Sequence, residues 1–205
     1  MGKRLLVTVL SLLALAGCLA GGDRYITSSS TKMYFKLPGS WKVFPKNQVL
    51  ANPSPIQGIA ASSDRFLIEF DGDPQPSAKH DFVTSGYPFG EARVRTLSTQ
   101  EHDQYSLASL RNEIIPIDNI VQQNSNAVTL LSPPRMLVHQ GLRGSKLSYV
   151  VQISAGRSFA VEQVAMVDSP TDTVWLLIVG CSTECFQRFA ATIHRVADSW
   201  TVQGK

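Results

Sequence analysis

The stretch that decides the fold of this chain is residues 173–202, TVWLLIVGCSTECFQRFAATIHRVADSWTV. Its first eight residues are almost wholly apolar and rich in Val, Ile and Trp, which predicts a strand buried on both faces in the middle of a sheet. Ser182 or Thr183 then supplies a helix N-cap, and Glu184 lies in the first turn, where a carboxylate favours the positive end of the helix dipole. The stretch therefore predicts a central strand followed directly by a helix.

The helical half of this stretch carries one apolar stripe. A stripe of this kind is typical of a helix that packs against a sheet. The residues that form it recur three or four positions apart: Phe186, Phe189, Ala190, Ile193, Val196, Ala197 and Trp200. We therefore expect a helix packed on the sheet to close the domain.

Four extended runs precede this unit, and short connections join them, so neighbouring strands must pair antiparallel. The runs are 128–131, 136–139, 146–154 and 158–167, and residues 155–157 have the composition of a hairpin turn. Further upstream, Ser98 and Glu101 resemble a capping box at the start of a helix that Pro116 ends. Residues 91–97 alternate polar and apolar and predict an edge or half-exposed strand. The fold class that follows is α+β, an antiparallel sheet packed by helices.

The N-terminus has the pattern of a bacterial export signal. Lys3 and Arg4 precede a twelve-residue apolar run at 5–16, which is too short to cross a bilayer. Small residues then lead to Cys18, and the sequence LAGC at 15–18 resembles the lipobox of a bacterial lipoprotein. In such a motif the cysteine thiol receives diacylglycerol and cleavage makes the cysteine the first mature residue. The alternative is an ordinary secretory signal followed by a chance cysteine.

This pattern predicts a localisation and a domain plan. Residues 1–17 are expected to be a removed signal peptide, and Cys18 to carry a lipid that anchors the protein at the extracytoplasmic face of the cell membrane. Residues 18–30 are polar, with two glycines and three serines, and predict a short tether that keeps the domain within about a few tens of ångströms of the membrane. Residues 31–205 show no further linker or repeat and predict a single α+β domain.

Composition narrows the classes of partner. Removing Lys3 and Arg4 from the 19 basic residues leaves 17 against 16 acidic ones, and no basic cluster survives in the mature chain. The charge therefore gives no reason to expect nucleic acid as a partner. With 43% hydrophobic residues, the chain can bury a substantial core.

The remaining cysteines, Cys181 and Cys185, are expected to form a disulfide that pins the turn from strand to helix. Outside the cytoplasm two neighbouring thiols normally oxidise. The alternative is a copper or thiol-redox carrier, because a helix N-terminus lowers a thiol pKa and thiolates bind Cu(I). His194 lies nine residues beyond Cys185, too far along a straight helix to share a metal with it.

The chain offers little for catalysis. His80, His102 and His139 fall on separate predicted elements without the spacing of metal ligands, and there is no GxSxG motif around a serine. We expect no catalytic residue, metal site or cofactor, and a protein that is not an enzyme.

Two short motifs carry a family resemblance. The opening strand runs into LPGSW at 37–41, and the final helix ends in DSWTV at 198–202. With the antiparallel meander between them, residues 31–202 resemble the PsbP/Mog1 superfold, including its bacterial lipoprotein members. Members include photosystem-associated subunits, a small-GTPase partner and mycobacterial cell-envelope lipoproteins. The resemblance implies a PsbP/Mog1-like sandwich and a non-catalytic binding or assembly module, and it supplies no site residues to carry over.

The functional hypothesis combines these observations. The chain is interpreted as a membrane-anchored module that binds an envelope protein or an apolar envelope ligand. Function concentrates on loops held by a rigid sheet, so the proline-rich loops at 45–55 and 71–90 are the expected binding surface.

Overall fold

The computed structural model describes residues 22–52, 63–83, 85–123 and 126–204, which form eleven strands and five helices in the described ranges. The strands are β1 Asp23–Ser28, β2 Met33–Pro38, β3 Lys42–Pro45, β4 Phe66–Asp71, β5 Phe89–Thr96, β6 Val128–Leu130, β7 Arg135–His139, β8 Leu142–Ser154, β9 Arg157–Asp168, β10 Thr173–Ser182 and β11 Thr201–Val202. The helices are α1 Lys46–Ala51, α2 Thr99–Gln104, α3 Leu107–Arg111, α4 Ile117–Gln122 and α5 Thr183–Asp198.

Strand β10 lies inside the large sheet, as predicted. This eight-stranded sheet has the order β3-β4-β5-β10-β9-β8-β6, and β7 also pairs with β8. β10 is antiparallel to both of its neighbours, β5 and β9, and every residue from Thr173 to Cys181 is buried. Because both faces of β10 are apolar, both faces of the large sheet must be covered by other elements.

One face of the large sheet is covered by α5 and by a small three-stranded sheet of order β1-β2-β11. Ser182 caps α5 by accepting a hydrogen bond from the Cys185 N–H, so the predicted cap is confirmed. Phe186, Ile193 and Val196 of the predicted stripe are buried against this face. After α5, the Trp200 ring packs 5.4 Å from Phe35, and β11 pairs with β2. The final motif thus closes one layer of the sandwich.

The opposite face is covered by the segment from α2 to α4. Leu110 of α3 and Ile117 of α4 are buried against two apolar clusters that include Leu147, Ile178 and Leu176 of the sheet. Gln163 of β9 fixes this cover, because its amide donates to the Leu110 carbonyl at 2.8 Å. The molecule therefore has three layers.

The antiparallel meander is confirmed. β8 and β9 are joined by the turn at Ala155 and Gly156, where Gly156 has a φ of 76°. β6 and β7 lie end to end along β8, separated by residues 131–134, which include two prolines. Together β6 and β7 form one outer edge of the large sheet.

Part of the predicted tether is a strand. Residues 23–28, assigned from their polarity to the tether at 18–30, form β1 and pair antiparallel with β2 from Asp23 to Ser28. The strand is mostly exposed, and only Ile26 packs on the apolar core, so it has almost no hydrophobic signal. Backbone hydrogen bonds to β2 hold it, and these leave no trace in composition.

Three other predictions are wrong in detail. β5 is an inner, buried strand between β4 and β10, although the alternation of polar and apolar residues at 91–97 had predicted an edge or half-exposed strand. The single helix expected after Ser98 is split into α2 and α3, because Ser106 caps a new helix through the Ser109 N–H. Residues 46–51 of the expected loop at 45–55 form α1.

The signal peptide at 1–17 and Cys18 lie outside the described residues. Within the described ranges, no helix has the length and apolarity needed to cross a membrane.

The close approach of β9 and β10 gives a test of this fold. A Cβ atom at Gly180 would collide with the Ala160 carbonyl oxygen, and Val161 Cα would lie 2.8 Å away. We expect Gly180→Ala to lower the free energy of unfolding by about 3 kcal/mol, measured from denaturant midpoints. The matched control is Gly86→Ala, where a Cβ meets no atom within 4 Å. Equal midpoints for the two variants would contradict the strand packing.

Candidate functional site

The structure joins Cys181 and Cys185 in a disulfide at the start of α5, with their Cα atoms 5.8 Å apart. Both residues are almost completely buried in the apolar core, at 0% and 2% exposure. A carrier must expose its sulfur atoms to metal or to a partner thiol, and this burial denies that access. The described residues contain no group of three or more His, Cys, Asp or Glu side chains that could hold a metal ion.

The loop at 71–90 is organised by one buried carboxylate. Asp71 is fully buried and accepts hydrogen bonds from the backbone N–H groups of Asp73 and Ser77, each at 2.9 Å. The His80 ring lies 2.7 Å from the same carboxylate. These contacts with Asp71 fix the shape of the loop. His80 is one of the residues that they hold, so its role here is structural. The other predicted loop, 45–55, contains α1, and its residues beyond Asn52 lie outside the described ranges.

The remaining histidines are separate from one another. His102 on α2 lies 3.0 Å from the Asp103 carboxylate at the surface. His194 on α5 contacts the buried Glu162, which also pairs with Lys146 at 2.5 Å. His139 lies at the end of β7. The structure therefore brings none of the predicted histidines together.

Sequence reasoning did not find the partly buried charged cluster on β5. Arg95 binds the carboxylates of Glu113 and Glu101, each at 2.8 Å, and the Tyr105 hydroxyl donates to Glu113. Arg93, on the same face, lies 3.7 Å from Glu113. The cluster ties the segment from α2 to α3 onto the sheet. Its central pair, Arg95 and Glu113, is separated by 18 residues in the sequence. No local motif therefore predicts the cluster.

Glu91 is a buried carboxyl group beside this cluster, 3.7 Å from Arg93. It lies on β5 directly opposite Glu69 of β4, and both residues are at least 95% buried, with 5% and 1% exposure. Burial raises the pKa of Glu91 to about 7. The positive charge of Arg93 lowers this pKa, and the negative charge of Asp64 raises it further, but burial has the largest effect. In the folded state the protonated form is therefore favoured below about pH 7, well above the range in which a free glutamate ionises.

An apolar groove lies on the same face of the sheet, between the α3–α4 segment and strands β6 and β8. Its volume is about 420 Å³. The buried side chains of Ile117 and Leu147 line it, together with Val121 and Leu130, which are 44% and 37% exposed. The groove is open to solvent along one side, and its volume lies in the lower part of the range found for small-molecule sites.

A polar side of the groove is fixed by an ion pair. Arg111 donates to Asp118 through Nη2 at 2.8 Å and through Nε at 3.2 Å, and both residues line the groove. Hydrogen bonds from Arg111 lower the pKa of Asp118, so this carboxylate stays charged at neutral pH. Asn112 binds Asp118 twice, which holds α4 against α3.

The groove was also missed by sequence reasoning, which predicted no element between Pro116 and the extended run at 128–131. A signal was present, because Pro116 is followed by Asp118 in a first turn and by Ile117, Ile120 and Val121 at helical spacing. Even with α4 predicted, the groove also needs Leu130 and Leu147 from distant strands. The spacing of residues along the sequence does not predict that these two strands lie beside α4.

Comparison with known proteins supports the fold. The solution structure of cyanobacterial PsbP (CyanoP) from Synechocystis sp. PCC 6803 superposes with a TM-score of 0.56 and 11% identity, over 93% of this chain and 98% of that one. This chain therefore has the PsbP-like α+β fold, as predicted, and an identity this low shows the fold alone.

A second solved structure is more distant. LpqN of Mycobacterium tuberculosis, described as involved in cell envelope biogenesis, matches with a TM-score of 0.48 and 11% identity over 89% of this chain and 91% of that one. A TM-score at this level supports no argument about this chain. No family model matches the chain, and no curated protein sequence matches it.

The perturbed pKa of Glu91 predicts how stability depends on pH. Since the pKa rises from 4.5 to about 7 on folding, the folded state holds a proton that the unfolded state has lost between these values. Stability should therefore fall as the pH rises through this window, by about 3 kcal/mol in total. We expect Glu91→Gln, which cannot ionise, to be more stable than the wild type above pH 7 and similar to it below pH 4.5.

Glu101→Gln is the opposite control. Burial opposes the charge of Glu101, but hydrogen bonds from Ser98 and Arg95 outweigh it and lower the pKa. Removing this charge should destabilise the protein above pH 7, and urea titrations across the pH range measure both effects. A Glu91→Gln variant with the same pH profile as the wild type would contradict the assignment.

Proposed function

We propose that this protein is a membrane-anchored, extracytoplasmic lipoprotein that binds an apolar ligand of the cell envelope and catalyses no reaction. The anchor is the lipid that the lipobox pattern at 15–18 predicts on Cys18. Two acyl chains on one cysteine are enough for stable membrane attachment, whereas a single chain binds only marginally.

The observation that carries the proposed binding activity is the apolar groove between α3–α4 and β6–β8. Val121 and Leu130 leave apolar surface open to solvent beside a floor of buried residues. Its volume of about 420 Å³ lies in the range of small-molecule sites. The groove is large enough for a small molecule. It is much smaller than the surface that a stable protein–protein interface buries.

The side chains around the groove favour binding over catalysis. Its charged residues, Arg111 and Asp118, already satisfy each other at 2.8 Å. A general acid or base needs a pKa matched to neutral pH, and the pKa of Asp118 is lowered instead. These groups are suited to holding the helices in place and to marking the polar end of the groove.

The anchor is tested by Cys18→Ser. We expect this variant to appear in the soluble fraction after export, because no thiol remains to receive diacylglycerol. The measurement is membrane fractionation of the full chain, with intact mass to detect the lipid. Ser29→Ala is the control, because it changes an exposed residue of the same N-terminal segment and should leave the membrane fraction unchanged. Membrane retention of the Cys18→Ser chain with 1–17 uncleaved would instead indicate a helical anchor.

Binding in the groove is tested by Val121→Asp. A charge placed against an apolar ligand should weaken binding by roughly tenfold or more, equivalent to about 1.4 kcal/mol. The probe is the fluorescent fatty acid parinaric acid, titrated into a chain that starts at Gly22 and so keeps β1.

The matched control is Val138→Asp, because Val138 is 80% exposed on β7 and does not line the groove. Equal weakening by both variants would place the binding elsewhere. If the wild type binds no probe, the groove is not a lipid-type site, and a protein segment becomes the ligand to seek by cross-linking in membranes.

A further inference from the structure

The length of chain between the predicted anchor and the first strand sets how far the domain can stand from the membrane. β1 begins at Asp23, only five residues after Cys18. Five residues reach at most about 18 Å when fully extended. If Cys18 carries the lipid, the start of β1 lies just above the headgroup layer, whose thickness is on the order of 5 to 7 Å.

The small sheet presents an exposed face at this point. Phe35 and Leu37 of β2 point into the core and are fully buried, so the alternate residues of the strand point outward. The outward residues are Tyr34 and Lys36 on β2, opposite Thr27 and Tyr25 of β1. We call these four residues the tyrosine face. Tyr25 is 61% exposed and Tyr34 is 37% exposed.

The chemistry of the tyrosine face suits a membrane interface. Tyrosine side chains, apolar in the ring and polar at the hydroxyl, are enriched at the level of lipid headgroups. The Lys36 ammonium lies 5.3 Å from the centre of the Tyr25 ring, so aromatic and cationic groups stand side by side. Lysine and arginine near a membrane surface are attracted to anionic lipids.

The segment around the tyrosine face carries a net positive charge, opposite in sign to anionic lipids. Residues 22–38 carry three cations, Arg24, Lys32 and Lys36, against one carboxylate, Asp23. The whole mature chain, by contrast, has nearly equal numbers of basic and acidic groups. The positive charge is thus concentrated in the segment that the anchor holds at the membrane.

We propose that the tyrosine face docks on the anionic lipid surface of the membrane that holds the anchor. This proposal rests on the proposed lipidation of Cys18, which brings the face within reach. Docking gives the domain one orientation. The small sheet faces the lipid, and the apolar groove, on the opposite face of the large sheet, opens away from the anchoring membrane. A ligand then enters the groove from the envelope space.

The test uses the lipidated mature chain with one added cysteine, Thr27→Cys, carrying a spin label. Since Cys181 and Cys185 form a disulfide and Cys18 is lipidated, the new thiol is the one that reacts. The protein is inserted into vesicles of phosphatidylcholine containing phosphatidylglycerol, or of phosphatidylcholine alone. Collision with a water-soluble nickel complex is measured by electron paramagnetic resonance. A label at Val138→Cys, on the exposed β7, serves as the distant control.

We expect the label at position 27 to lose nickel accessibility on vesicles that contain phosphatidylglycerol, while the label at position 138 does not change. Adding Lys36→Glu should lower the ratio of docked to undocked protein by roughly tenfold and restore accessibility. Arg135→Glu, the same change of net charge on β7, should leave docking intact.

Two failures can be told apart in the same sample. Equal accessibility of the position 27 label on both kinds of vesicle, in protein whose intact mass contains the diacylglyceryl group, overturns the docking and leaves the anchor standing. A mass without the lipid overturns the anchor, and the docking that depends on it falls as well.

Discussion

The constraint on which the structure depends is the burial of β10 on both of its faces. A strand with Val, Trp, Leu and Ile on both sides cannot lie at a surface, so the large sheet needs cover on both sides. One cover is α5 with the small sheet, and the other is the segment from α2 to α4. α5 follows β10 directly and α2 follows its neighbour β5, so both covers begin at the centre of the large sheet.

The segment from α2 to α4 is held on the large sheet differently from α5, and this difference produces the groove. On the side of α5, a continuous apolar stripe packs against the sheet. On the other side the helices are short. Besides the apolar packing of Leu110 and Ile117, polar contacts hold them: Arg95 to Glu113, Gln163 to the Leu110 carbonyl, and Arg111 to Asp118. These short helices leave apolar surface open between α4 and β6.

The parts of the fold that the sequence predicted are those with a local signal. The central strand, the stripe of α5, the Ser98 capping box and the hairpin at 155–156 each follow from the spacing of neighbouring residues. The missed features depend on distant contacts. β1 is held by pairing rather than burial, and β5 is buried although Glu91 and Arg93 lie on it, because residues such as Glu113 come from elsewhere to meet the charge. The predicted loops were placed by composition, whereas the groove combines two helices with two distant strands.

The interrupted edge formed by β6 and β7 bears on pairing between copies of this chain. An open sheet edge invites such pairing and aggregation. The proposed anchor would increase this tendency, because it would concentrate copies in two dimensions. Here Pro133 and Pro134 divide the edge into runs of three and five residues. Proline cannot donate a backbone hydrogen bond, so a foreign strand finds no continuous ladder to join. The break therefore limits strand pairing along an edge that carries exposed apolar residues such as Val138.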